Sequence, residues 1–224
     1  MRTDELIVQL ARSARPIRPL PRPGVRAMRS FAAALLVMLA AIVLTGPRAD
    51  LTWALRQPVF LGSLVALLLT LASGTAAAFV LSVPGAGRSR LQRFLPLLTA
   101  GGWSAIWLVV VLTADESAAP ATAPFHWACA IQIAVGAVAT GWLLFVMIAR
   151  AAPLQPVWTA AVASLASMAT GAAVAQVLCP VDDPMHQLIG HVLIALVLAS
   201  AGLLVGHRSL KFSPVATNAP PKVR

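Results

Sequence analysis

Six long apolar runs, at about 29–46, 59–83, 95–113, 126–149, 157–179 and 186–206, alternate with short breaks along the chain. Each run is near or above the roughly 17–25 residues that a helix needs to cross the hydrocarbon of a bilayer. The breaks hold Pro, Gly or charge: Gly46-Pro47-Arg48, Pro84-Gly85-Ala86-Gly87, 114–124, 152–156 and 180–184. Lipid offers no partner to backbone donors and acceptors, so each run must satisfy its own as a helix. The alternating segments of about ten residues that a membrane barrel needs are absent. The pattern predicts an all-α membrane protein, a bundle of six transmembrane helices spanning 29–206. A cytoplasmic segment, 1–28, precedes it and a cytoplasmic tail, 207–224, follows.

Composition agrees with the pattern. Hydrophobic residues make up 59% of the chain and charged residues 11%, with a mean hydropathy of +0.84, which is too little polar surface for a soluble domain of this size. The net charge of +10 suggests nucleic acid only until the basic residues are placed. They sit in short stretches between spans rather than on one folded face with base-reading groups among them. Direct nucleic-acid binding is therefore not expected. Fifteen of the 17 Lys and Arg fall in the N-terminal segment, the second and fourth connections and the tail. Only Arg48 and Arg56 fall on the other side, together with Asp50, Asp115, Glu116, Asp182 and Asp183. The excess of basic residues in cytoplasmic loops predicts that both termini lie inside. Trp53, Trp127 and Trp158 stand where interfacial aromatics belong. The polar lead-in of about thirty residues, with no small-x-small site after the first run, argues against a cleaved signal.

The spans themselves are chemically quiet. No Asp, Glu, Lys or Arg lies near the middle of any run, whereas ion-coupled transporters and pumps generally use one. Small residues recur four apart instead, as in Gly136/Thr140, Ser167/Gly171 and Gly171/Ala175. That spacing lets helix backbones approach closely, and Gln132 and Gln176 can hydrogen-bond between helices.

The N-terminus carries the first candidate constellation. Thr3 can cap a helix, and Asp4 and Glu5 fall in its first turn, where the dipole favours negative charge. Leu6, Ile7, Leu10 and Ala14 recur on one side. Pro16 stops the helix, and the Pro/Arg-rich stretch through Gly24 reads as an extended tether. The apolar stripe can lie on the bilayer, and the arginines can touch anionic lipid. Against a bilayer role, Asp4 and Glu5 are the only acidic residues on the cytoplasmic side. An anionic membrane repels them and a basic partner protein attracts them.

The second constellation lies on the predicted outer face. His126 and Cys129 begin the fourth span, Cys179 ends the fifth, and His186 and His191 begin the sixth. Two thiols there can close a disulfide in an oxidising compartment. With the imidazoles they can also form a soft site for zinc, cadmium or copper(I). Cysteine is equally at home as a small buried hydrophobe. His186 and His191 are five apart, off the i, i+4 spacing that puts two side chains on one helical face. No haem, flavin or nucleotide motif is present, and no resident cofactor is expected beyond a regulatory heavy-metal or zinc ion.

The opening Met1-Arg2-Thr3-Asp4-Glu5-Leu6-Ile7, the Arg/Pro stalk, the six runs and the Cys early in the fourth of them resemble one bacterial family. So does Leu178-Cys179-Pro180-Val181-Asp182-Asp183-Pro184-Met185-His186 before the sixth. It is NrsF, the six-span negative regulators of sigma-F-type extracytoplasmic-function sigma factors. One departure is Gly190 before His191, where the family often has Trp. The resemblance implies a non-enzymatic anti-sigma factor of the bacterial inner membrane, with the sigma factor and the lipid bilayer as partners. It implies a response to heavy-metal or oxidative stress through Cys129 and Cys179, with sigma binding at Asp4, Glu5, Leu6, Ile7 and Leu10. A small metal or solute transporter entered at the two cysteines and a membrane thiol-redox protein are the rival readings. The first needs polar groups deeper in the spans, and the second lacks a Cys-x-x-Cys pair.

Overall fold

The computed structural model describes residues 2–13, 20–83, 89–114, 125–151 and 153–210. Part of the Arg/Pro-rich tether (14–19), the acidic pair Asp115 and Glu116, and the tail from Lys211 lie outside the described residues. Helix α1, Thr3–Ser13, is followed by α2, Pro23–Thr45, and a single turn, α3, Leu51–Ala54. The remaining spans are α4 (Pro58–Leu81), α5 (Arg90–Thr113), α6 (Trp127–Ala149), α7 (Pro156–Leu178) and α8 (Pro184–Leu210). All six of α2 and α4 to α8 are long and apolar enough to cross a membrane. An even number of crossings brings both ends of this bundle to one side.

Proline fixes where four of these spans begin. α2, α4, α7 and α8 each open with Pro at the first helical positions. There the missing N–H costs nothing and φ is already helical. The helices overrun the apolar runs chiefly at one end of the bundle. α2 starts at Pro23 rather than 29, so the last residues of the expected tether are helical, and α5 starts at Arg90 rather than 95. α8 continues to Leu210 rather than 206. Each extension carries arginine (Arg26, Arg90 and Arg93, Arg208), which hydropathy scores as non-membrane. Long basic side chains reach the interface from a helix that continues past the hydrocarbon.

α7 is the axis of the fold. All but one residue between Thr159 and Leu178 is buried, and α2, α4, α5, α6 and α8 all pack on it. It is also the least hydropathic of the six spans. Without a hydrophobic drive between helices in lipid, a central helix is held by close packing and interhelical hydrogen bonds. Small residues supply the first. A Cβ on Gly171 would stand 2.1 Å from the Ile133 carbonyl oxygen of α6, and one on Gly136 would stand 2.8 Å from Gly171 Cα. Gln176 supplies the second. Its Nε2 donates to the Phe60 carbonyl (2.9 Å) and its Oε1 accepts from Ser63 Oγ (2.9 Å). Ser63 in turn accepts from the indole N–H groups of Trp103 and Trp107 at 2.9 and 3.0 Å. One buried serine thus ties α4, α5 and α7. Gln132, by contrast, has an Oε1 with no hydrogen-bond partner.

A second buried polar anchor holds α2. Arg26, 4% exposed, donates through Nη2 to the Met147 carbonyl of α6 and lies 4.8 Å from the ring centre of Phe79. α1 carries no such anchor, and every residue from Arg2 to Arg12 is exposed.

The α6–α7 approach makes a direct prediction. Gly171→Ala should destabilise the detergent-solubilised protein by about 1–3 kcal/mol or more, as overpacking against a backbone does. Gly62→Ala, with open space around it, should change the melting temperature little. Equal melting curves for both variants would refute the packing account.

Candidate functional site

Four of the five predicted outer-face ligands converge. Cys129 is in the first turn of α6, Cys179 follows α7, and His186 and His191 lie at the start of α8. Each offers one ligand atom, and these atoms all lie within 4.8 Å of one another. The Cys129 and Cys179 sulfurs are 3.3 Å apart, and His186 Nε2 is 3.6 Å from the first and 3.4 Å from the second. All four residues are at most 5% exposed. His126 is not one of the four. Its ring packs edge-on against His186, 5.0 Å between centroids, as a neighbour of the cluster.

Residues His186 and His191 meet because the helix is not regular there. From Gln187 to Leu193 it widens into a π turn, in which hydrogen bonds run i to i+5. Five residues then make roughly one turn, and the two rings come to 5.2 Å between centroids. The spacing that separates them on an ordinary helix brings them together on this one. Widened turns of this kind occur frequently at functional sites. Asp183 caps the helix start by accepting from the Met185 N–H at 3.0 Å, with Pro184 at the first position.

Cys179 and the loop after it are held by a group that the charge count treated only as a misplaced cation. Arg48 is 4% exposed. Its guanidinium forks onto Asp50 at 2.7 and 2.8 Å and onto Asp182 at 2.7 and 2.5 Å. Its backbone N–H donates to the Val177 carbonyl at 3.1 Å. The two carboxylates keep Arg48 above its ordinary pKa despite burial, and Asp50 is held below the usual carboxylate range by the same hydrogen bonds. Gln187 Nε2 closes the loop from the other side, donating to the Val181 carbonyl at 2.6 Å. The 179–183 segment is therefore clamped between the connection after α2 and the start of α8. Asp182 and Asp50, read as marks of sidedness, are the two anions of the clamp. The signal that could have found it is an Arg two residues before an Asp, Arg48 and Asp50, in one connection, with the acidic pair Asp182-Asp183 in another on the same side.

The donor set suits a soft metal ion. Tetrahedral coordination with bonds of about 2.3 Å to sulfur and about 2.0–2.1 Å to nitrogen puts ligand atoms roughly 3.3–3.8 Å apart. The sulfur–nitrogen separations of 3.6 and 3.4 Å fall in that range, and the sulfurs, 3.3 Å apart, would part by about 0.5 Å to share one ion. Two buried sulfurs and two imidazoles match the Cys2His2 ligand class. The Cys129 thiol donates to the Cys179 sulfur, and metal binding and oxidation both proceed through the thiolate. The same separation of the sulfurs places them one small movement from a disulfide, whose bond is about 2.05 Å.

The partner-binding candidates lie elsewhere. Leu6, Ile7 and Leu10 are 41%, 58% and 59% exposed on α1. Glu5 reaches back to accept from the Arg2 N–H at 3.2 Å, and Asp4 shares its first turn. Nothing brings these residues to the Cys/His cluster; α1 precedes α2, and the cluster lies beyond the far end of α2.

Two outcomes follow. The purified, reduced protein should take up one Cd2+ with a thiolate-to-metal charge-transfer band. His186→Ala and His191→Ala should each weaken uptake at least about tenfold, and the Cys129→Ser/Cys179→Ser variant should abolish the band. Cadmium uptake that is indifferent to the cysteines would remove the site. In a Cys129→Ser background, Arg48→Gln removes hydrogen bonds worth about 1–3 kcal/mol. It should speed maleimide alkylation of Cys179 roughly five- to a hundredfold, and an unchanged rate would mean that the clamp does not hold the loop.

No curated protein and no solved structure matches the chain. A family described as "Negative regulator of sigma F" (NrsF) matches residues 10–212. That stretch contains the six spans and the whole Cys/His cluster, and it starts within α1, at Leu10. The six-helix bundle and a match over most of its length agree, and the chain belongs to the NrsF family of negative regulators of a sigma factor.

Proposed function

We propose that this multi-pass protein lies in the bacterial inner membrane with both termini in the cytoplasm. There it sequesters an extracytoplasmic-function sigma factor through its N-terminal segment and releases it when the Cys/His cluster binds a soft metal or is oxidised. The convergence of Cys129, Cys179, His186 and His191 from three helices carries this reading. A site whose ligands come from α6, α8 and the loop after α7 changes their relative placement when it is filled or cross-linked. The asymmetry of Lys and Arg supports the orientation, which puts the cluster outside and α1 inside.

At the inner end, α1 has the features of a small docking element. Its apolar side chains Leu6, Ile7 and Leu10 are exposed, and two acids precede them. A segment of this length pays ordering entropy when it docks, which keeps its affinity modest, so a small change in its presentation is enough to release it. Cysteine ligation is the step at which metal and oxidant converge. Either event removes the free thiol pair, the metal by holding both sulfurs and the oxidant by joining them. A difference of a few kcal/mol between two packings is sufficient for such a switch.

The full-length protein, co-expressed with the sigma factor encoded beside its gene, should co-purify with it. Leu6→Ser/Ile7→Ser/Leu10→Ser should lose the complex while the bundle still inserts. Cys129→Ser/Cys179→Ser should keep the complex and abolish induction of a sigma-dependent reporter by cadmium or diamide. Retention of the sigma factor by the triple variant would move the docking surface away from α1. Normal induction of the double cysteine variant would end the sensing role.

A further inference from the structure

A groove of about 470 Å³ opens on the lipid-facing side of the bundle between α6 and α8, with α7 as its floor. Val138, Trp142 and Val146 form one wall, Leu198 and Val205 the other, and Met168 lies beneath. It runs toward the arginine-rich end, where its last lining residues are Ala149 and Ser209. Arg150 follows the first of these directly and Arg208 precedes the second. Both arginines are exposed, and neither forms an ion pair with an acid among the described residues. The apolar trough therefore ends between two free cations at the level of the headgroups.

From this arrangement we infer a binding site for an anionic phospholipid, one acyl chain in the α6–α8 groove and the phosphate between Arg150 and Arg208. The size excludes a helix as occupant. A helix about 10 Å across would fill 470 Å³ within roughly one turn, whereas a single hydrocarbon chain is narrow enough to lie along the groove. A second copy of the chain is disfavoured for another reason. Gly202 and Gly206 have the four-residue spacing that pairs transmembrane helices, but they already face inward. A Cβ at these positions would meet Ser164 Oγ at 2.9 Å and the Phe145 ring at 2.3 Å. Charge selects the headgroup, since basic pockets between helices at this depth hold anionic lipids.

The site has a structural consequence. α6 and α8 carry Cys129 at one end and His186 with His191 at the same end, and the groove separates the same two helices at the other end. A chain seated in it fills the gap between α6 and α8 at the end away from the Cys/His cluster.

The test uses the full-length protein in detergent with phosphatidylglycerol or phosphatidylcholine added, bound lipid being counted by native mass spectrometry. Phosphatidylglycerol should be retained about thirtyfold more tightly than phosphatidylcholine, about fivefold for each arginine. Arg150→Gln/Arg208→Gln should erase that preference, whereas Arg22→Gln/Arg29→Gln, which removes the same charge at the same end, should keep it. Ala201→Phe, which fills the groove from an exposed position on α8, should lower retention of both lipids. Equal retention of the two lipids by the unmodified protein, equal loss of preference in both arginine pairs, or a dimer that displaces the lipid would each overturn the assignment.

Discussion

Everything in this bundle depends on how closely α6 and α7 approach. The Ile133 carbonyl oxygen of α6 occupies the space that a side chain on residue 171 would need, so the two backbones touch. In water such a contact would be one term beside a large hydrophobic drive; in lipid the drive is gone, and contact area with polar pairing is what remains. That accounts for a central helix made of Ala, Ser, Thr and Gly while its neighbours carry the Leu, Val and Ile. From Thr159 to Leu178 only Ala161 of α7 is not buried, so this helix gains little from hydropathy. α6, set hard against it, delivers Cys129 beside Cys179 without any need for long side chains.

The cluster is buried between helix ends rather than in a cleft, which governs its chemistry. Cys179 follows α7, Cys129 opens α6, and both histidines open α8, so the four ligands come from three elements. A ligand that draws four such atoms together acts on α6, α8 and the loop after α7 at once. The Arg48 clamp limits how the 179–183 segment can respond, since Asp182 is held by two hydrogen bonds three residues after Cys179. Breaking one partner of a buried pair is expensive because the other is left as an uncompensated charge. Although Asp50 and Asp182 are themselves nearly half exposed, Arg48 is not, and it is Arg48 that would be stranded.

Sequence reading succeeded where one constraint acts alone. The bilayer demands about twenty apolar residues per crossing, so the six runs announced themselves, and the Pro-bearing breaks marked where helices begin. It fell short where two constraints compete. Arg26 counts as polar and falls in the segment before the first apolar run, yet its helix buries it because the Met147 carbonyl and the Phe79 ring replace water. Arg48 was read against the charge rule as an exception, and its partners, 2 and 134 residues away, are not a pair that spacing suggests. The separation of His186 and His191 argued against a shared face only under the assumption of 3.6 residues per turn, and the π turn removes that assumption. Gln176 was recognised as an interhelical hydrogen-bonder, but its partners Ser63 and Phe60 lie more than a hundred residues distant, which only the packing reveals.

The two buried arginines give α2 a position that its modest burial conceals. Just past its final turn, Arg48 binds the loop that follows Cys179. In its first turn, Arg26 binds the end of α6, the helix that begins with Cys129. Of the six spans, α2 is thus the one fastened by charged side chains near both of its ends, and the two fastenings lead to the two cysteines by separate routes. A shift of α6 along α7 is resisted by the glycine contact, so the softer response is for the 179–183 loop and α2 to adjust together. α2 is also the span that follows α1 in the chain. Packed interfaces are bistable rather than continuously deformable, and a helix fastened near both ends responds to either fastening as a body. α2 is thus a single rod of 23 residues with an arginine clasp near each end, standing in the chain between α1 and the connection that clamps the loop after Cys179.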